Sequence, residues 1–373
     1  MNLACARVRG ERRLSPQEAS RGRSLNTSNQ QPATSNQPRR SLRVPAMTAM
    51  LLALTSCGTR RCGAEVEGSP SRVSWVIPKA SVPPLLAPAP SNDAAASAAL
   101  RQGTEELTWT FDQTAIGRID VVVVLPDRRP DERFPLLIAL HGRGEAMKGP
   151  VRGARGWVDD YALGRAIRRL SMPPLKSDDF EDIVEPKRMN LLSATLQAQP
   201  YAGLVVLCPY TPDMLAGERP FERAYPFARF LVEALIPRAR RELPVIDKPE
   251  ATGIDGVSLG GRVSLLSGLY QPQEFGAIAT LQAAFDSSDA PRLADLAARA
   301  KSRNPKLQFR FLTSDGDYFL AANRAIDQAF SASHIDHKFL IVPGPHDYIF
   351  NRGPGAIEML FYHDRALRGL EVL

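Results

Sequence analysis

The stretch Thr252-Gly253-Ile254-Asp255-Gly256-Val257-Ser258-Leu259-Gly260-Gly261 decides the fold. Its first part, residues 252–257, is an apolar run of strand length. A helical pattern follows over residues 262–270. Between them lies G-x-S-x-G. A strand that turns sharply into a helix holds the serine in strained backbone and exposes its hydroxyl at the helix N-terminus. Glycines at 256 and 260 remove side chains that would collide as strand and helix close together. Alone the pattern is weak, since chance gives roughly 0.1 matches in a chain of this length and composition. Its setting makes it informative.

Working outward, seven further strand-like runs are legible. Residues 107–111 alternate apolar and polar, as a half-buried strand does. Residues 119–125 contain Val121-Val122-Val123-Val124, a β-branched run suited to burial on both faces. Leu136–Leu140, 204–207, 275–281, 307–313 and 338–342 complete the set. Helical patterns fall at 221–243, 262–270, 292–303, 318–330 and 356–370. Strands alternating with helices predict an α/β fold, a mostly parallel eight-stranded sheet with helices on both faces. The chain has 373 residues, 44% of them hydrophobic, ample for one large core.

Serine needs an adjacent base. Of five histidines, His346 is best placed, in the turn-rich Pro343-Gly344-Pro345-His346-Asp347 just past the last strand. His334 and His337, at the end of the preceding helix, read as solvated. His363 reads as a packing or surface residue of the final helix. His141 reads as structural. The base needs an orienting carboxylate. After the seventh strand comes Ser314-Asp315-Gly316-Asp317, in which Asp317 is the choice and Asp315 the runner-up. The competing reading is that both start a turn and cap the next helix. An oxyanion needs two amide donors. Leu259 supplies one, and Arg143, with Gly144 as fallback, supplies the other from His141-Gly142-Arg143-Gly144 after the third strand. The chain order Ser258, Asp317, His346 matches the order of one fold class among those that share this chemistry.

On these motifs the chain, from about residue 107 to its end, resembles the secreted esterase branch of the α/β-hydrolases, which includes esterase D-like, feruloyl-esterase-like and polyhydroxybutyrate-depolymerase-like enzymes. The resemblance rests on residues 140–144, the Gly256–Gly261 turn, Gly316-Asp317 and residues 344–347. It implies cofactor-free ester hydrolysis, in which Ser258 forms an acyl-enzyme that water releases. The motifs are specific to fold and triad, not to substrate. The chain departs from simpler members at residues 145–202, a long insertion with Trp157 and Tyr161 as expected walls of the substrate pocket. Surface decoration is the competing reading. The short segment between the sixth and seventh strands argues for a small or medium ester. An acyltransferase with the same triad is the first alternative. A prolyl-oligopeptidase-type peptidase lacks its preceding repeats here, and an inactive binding module would have less reason to keep Ser, Asp and His together.

The net charge of +7 has to be located before it means anything. Residues 1–61 carry eleven arginines against Glu11 and Glu18, a local +9, which leaves −2 for the remainder. A nucleic-acid binder would show its basic footprint on the folded domain, so nucleic acid is set aside. Residues 1–46 have the polar composition of a chain that does not fold alone. Met47–Leu54 is an apolar run of signal length. It ends in Leu54-Thr55-Ser56-Cys57, which resembles the bacterial lipobox. The expectation is a leader over 1–57, lipidation at Cys57, a Pro/Ala/Ser-rich tether over 58–106, and an envelope or secreted location. A long segment precedes this run, which fits translation starting near Leu42 or Val44; the competing reading is that the run is an accident of an Ala/Leu-rich leader. Cys208 sits in an apolar run and reads as a buried strand residue. No Cys/His metal cluster is seen, and no stretch approaches 18 consecutive apolar residues.

Overall fold

The computed structural model describes residues 104–373 except Arg219. The expected leader, Cys57 and residues 58–103 of the expected tether lie outside the described residues. The first strand begins at Thr104, three residues before the expected boundary.

Strand β1 (Thr104–Thr114) turns back into β2 (Gly117–Pro126) as an antiparallel hairpin. The six further strands are β3 (Leu136–Leu140), β4 (Val205–Pro209), β5 (Thr252–Gly256), β6 (Ala277–Leu281), β7 (Gln308–Gly316) and β8 (Lys338–Pro345). They form one sheet in the order β1-β2-β4-β3-β5-β6-β7-β8. Only the β1/β2 and β2/β4 pairs are antiparallel. All pairs from β4 to β8 are parallel. β3 lies between β4 and β5, so the order of addition reverses there. At such a switch point, the loops leaving the two strands diverge and open a crevice. The loops after β3 and β5 carry Arg143 and Ser258.

Successive side chains of a strand face opposite sides, so the valine run of β2 feeds two cores. Val121, Val123 and Leu125 join one. Val122 and Val124 join the other. The second core contains α1 (Leu163–Leu170) and α2 (Pro186–Ala198). In α1, Leu163, Ala166, Ile167 and Leu170 are buried at helical spacing while Arg165, Arg168 and Arg169 occupy other faces. The first core is covered by α3 (Tyr225–Phe230), α4 (Ile236–Glu242), α5 (Leu259–Tyr270), α6 (Ala290–Arg303) and α7 (Leu320–Ala332). The last helix, α8 (Ala356–Ala366), returns to the second face.

Two expectations change here. The single helix expected over 221–243 is interrupted by a wide turn at Leu231–Leu235. Pro237 lacks an N–H and crowds the carbonyl four residues back, which widens the preceding turn. Residues 145–202 are not decoration on the surface, because α1 and α2 form part of the helical layer on the second face.

Charged groups also join α8 to the sheet. Asp255 of β5 and His363 of α8 are fully buried and meet at 3.1 Å. Glu358 of α8 accepts from Arg310 of β7 at 2.6 Å and from Arg188 of α2 at 2.7 Å. A buried carboxylate held by two guanidinium groups is tolerated because its charge is answered at close range. His363 therefore packs, as expected. His337 does not lie in solvent: its ring packs against Phe311 and Phe330, and Nε2 lies 3.0 Å from Asp327. Cys208 is buried, and burial pushes its thiol well above the usual range. Among the described residues, no helix is long and apolar enough to cross a membrane.

Candidate active site

The turn from β5 into α5 places Ser258 at φ 59°, ψ −114°, a region that non-glycine residues occupy only under local constraint. The constraint is visible in the hydrogen bonds. The Ser258 N–H donates to the Leu281 carbonyl at 2.9 Å, and its carbonyl accepts from Ala284 and Arg262. Glycine is required on both sides. A Cβ on Gly260 would lie 2.4 Å from the Leu140 carbonyl oxygen, and one on Gly256 would lie 2.5 Å from the backbone of Gly260. Leu259 opens α5, where an N–H has no partner within the helix.

Asp317 and His346 arrive on adjacent strands. β7 and β8 pair to their ends, and Gly316 is opposite Pro345 after a register shift. Each strand then releases its next residue, Asp317 and His346. A bulge beside a site commonly re-aims a side chain in this way. His346 Nδ1 and Asp317 Oδ1 are 2.7 Å apart. The carboxylate is buried and further held by the Phe319 N–H at 2.8 Å and the Thr313 hydroxyl at 2.6 Å. It is therefore fixed before it orients anything. Asp315, the runner-up, is exposed and accepts from the Gly344 N–H instead. Tyr318 stacks on His346 with ring centroids 4.1 Å apart and is itself 70% exposed.

One residue that sequence reading missed connects the serine turn to the histidine loop. Gln282 follows β6 with φ 47° and is wholly buried. Its Nε2 donates to the Pro345 carbonyl at 2.9 Å and to the Ser314 hydroxyl at 2.6 Å. Its backbone neighbour Leu281 accepts from Ser258. A polar residue at the carboxyl end of an apolar strand was the available signal. Among the described residues, no hydrogen bond joins the Ser258 hydroxyl to His346; such contacts commonly tighten only when substrate binds.

Across the crevice, Arg143 and Gly144 open the short helix Arg143–Ala146, so both amides lack a partner within it. The Arg143 side chain turns outward to a two-pronged ion pair with Asp213, at 3.0–3.1 Å. His141 is buried. Its Nε2 accepts from the Thr211 N–H at 2.9 Å, so Nδ1 carries the proton and donates to the Gly142 carbonyl at 2.9 Å. Burial lowers its pKa and keeps it neutral. It is structural, as expected.

Trp157 and Tyr161 require a correction. Both lie in the second core, 0% and 1% exposed, with their rings edge-on to each other. Side chains with no solvent contact do not form the walls of an open pocket. Tyr161 instead supports the loop after β3, accepting from the Gly142 N–H at 3.2 Å and donating to Glu145. Tyr348 donates to the same carboxylate at 2.7 Å. Burial, then the contact with Glu145, raises the pKa of both tyrosines and keeps them protonated donors.

Residues 214–336 match the family model described as Putative esterase. No curated protein matches the chain. Among solved structures, a ferulic acid esterase is similar at TM-score 0.52 and 14% identity, over 70% of this chain and 98% of that one. An S-formylglutathione hydrolase from Staphylococcus aureus aligns at 0.51 and 14%, over 70% and 99%. A fluorophosphonate-binding serine hydrolase from Staphylococcus aureus aligns at 0.50 and 13%, over 70% and 98%. The chain has the α/β-hydrolase fold.

Proposed function

We propose that this protein is a serine carboxylic-ester hydrolase acting on a small or medium ester through an acyl-enzyme. The 2.7 Å contact of His346 with Asp317, at the same carboxyl end of the parallel strands as the strained Ser258, carries this reading. The esterase family match and the hydrolase neighbours support it.

Ser258 Oγ attacks the acyl carbon and its proton passes to His346 Nε2. Asp317 holds the opposite ring nitrogen and stabilises the imidazolium. The carbonyl oxygen, now negative, takes the amides of Leu259 and Arg143, with Gly144 next in line. The alcohol leaves with the Nε2 proton, and the acyl group stays on Ser258. Water, deprotonated by the same histidine, then releases the acid. Each step uses side chains and amides of this chain. The reading includes an envelope location, supported by the lipobox-like residues 54–57.

Turnover of p-nitrophenyl esters with short to medium acyl chains tests the reading, with Ser258→Ala as control. Wild type should turn over, and the variant should lose at least about a thousandfold. Equal activity in both would refute it. Repeating the reaction with an added alcohol separates hydrolysis from acyl transfer: the proposal predicts free acid, and an alkyl ester product would favour the transferase alternative.

A further inference from the structure

Glu145 is 1% exposed and lies three residues from Gly142, inside the loop that supplies an oxyanion amide. A buried carboxylate is costly unless its oxygens are answered by donors. Here the two oxygens answer two separate parts of the site. Oε2 accepts from Tyr161, whose hydroxyl oxygen in turn accepts from the Gly142 N–H, one residue before Arg143. Oε1 accepts from Tyr348 at 2.7 Å, two residues beyond His346. Lys148 Nζ balances the charge at 3.6 Å. The Tyr348 hydroxyl also packs against the loop backbone, 2.8 Å from where a Cβ on Gly144 would stand.

We propose that Glu145 is a positioning residue that fixes the oxyanion loop at a set distance from the histidine loop, through Tyr161 on one side and Tyr348 on the other. The inference rests on the proposed esterase reading and names how that site is held together. The two loops leave β3 and β8, which lie at different places in the sheet with β5, β6 and β7 between them. The ladder alone therefore does not set their spacing. The reaction needs both: amide donors about 2.7–3.1 Å from the oxyanion, and a base within reach of the serine. Misplacement by about 1 Å can cost about a hundredfold.

The test uses the full chain with Tyr348→Phe, which removes one hydroxyl from a partly exposed ring and spares the core. The expected result is about 10- to 100-fold lower kcat on a short p-nitrophenyl ester, KM within about threefold, and a melting temperature lowered by no more than a few degrees, since Glu145 loses one of its donors. Gly144→Ala should push the hydroxyl off Glu145 and lower kcat similarly. The double variant should be no slower than the slower single one, because both break the same contact. If wild type proves inactive on the panel, the rate of fluorophosphonate labelling replaces kcat. Tyr348→Phe within twofold of wild type, or losses that multiply in the double variant, would overturn the positioning role. Ser258→Ala run alongside reports on the esterase reading separately: activity surviving there sinks that reading, whatever Tyr348→Phe does.

Discussion

His346 Nδ1 and Asp317 Oδ1 stand 2.7 Å apart because each residue directly follows one member of a register-matched pair, Pro345 on β8 and Gly316 on β7. The contact is built into the sheet rather than left to loop sampling. Asp317→Asn should therefore keep the fold and lower kcat by about 10³–10⁴-fold, because the amide favours the wrong tautomer of the ring. Asp315→Asn keeps an amide oxygen that can accept from the Gly344 N–H and removes only a charge away from the histidine, so it should cost less than about tenfold. Steady-state kinetics of the two variants decides between the carboxylates. Equal losses would contradict the assignment.

The tight closure of the serine turn predicts a stability effect. Gly260→Ala places a Cβ 2.4 Å from the Leu140 carbonyl and 2.7 Å from that of His141, both backbone atoms that cannot swing aside. The expected cost is about 1–3 kcal/mol or more, read as a lower melting temperature together with lost activity. A variant as stable as wild type would mean that the turn is looser than described.

Glu358 answers two guanidinium groups at once. Glu358→Gln leaves the Arg310 charge unanswered in the core, and removing one partner of a buried pair costs about 3–5 kcal/mol. Urea denaturation would measure it. A loss below about 1 kcal/mol would show that water or a rearranged Asp255 compensates.

Two buried histidines set a pH dependence of stability. Burial is the largest influence on both His141 and His363, and it holds each folded-state pKa below the usual value of about 6.5. The folded state thus binds fewer protons than the unfolded state as pH falls through that value. Stability is then fully present above about pH 6.5 and declines below it. Protonated His141 would also turn an N–H toward the Thr211 N–H, which now donates to it. Melting temperatures measured from pH 8 to pH 5 should fall, and His363→Gln should flatten the slope. A curve that rises on acidification would contradict the burial of neutral imidazoles.

Much of the fold was legible from residues 252–261 outward, because strand runs and the serine turn leave local signatures. Ser258, Asp317 and His346 could be proposed for the same reason: each lies within two residues of the carboxyl end of a strand. What stayed hidden depends on which face a side chain takes. Trp157 and Tyr161 sit in a stretch rich in glycine and charge, with no long periodic pattern to show that they point inward. Glu145 looked like an ordinary loop acid, and its burial becomes evident only once Tyr161 and Tyr348 converge on it from 16 and 203 residues away. The pairing of Asp255 with His363 spans 108 residues and likewise leaves no local trace.

The most direct measurement is the site of covalent labelling by a fluorophosphonate probe on the full chain, located by peptide mass mapping. The proposed mechanism predicts one adduct, on Ser258, lost completely in Ser258→Ala. An adduct on another residue, or labelling that persists undiminished in Ser258→Ala, would contradict the assignment of Ser258 as nucleophile.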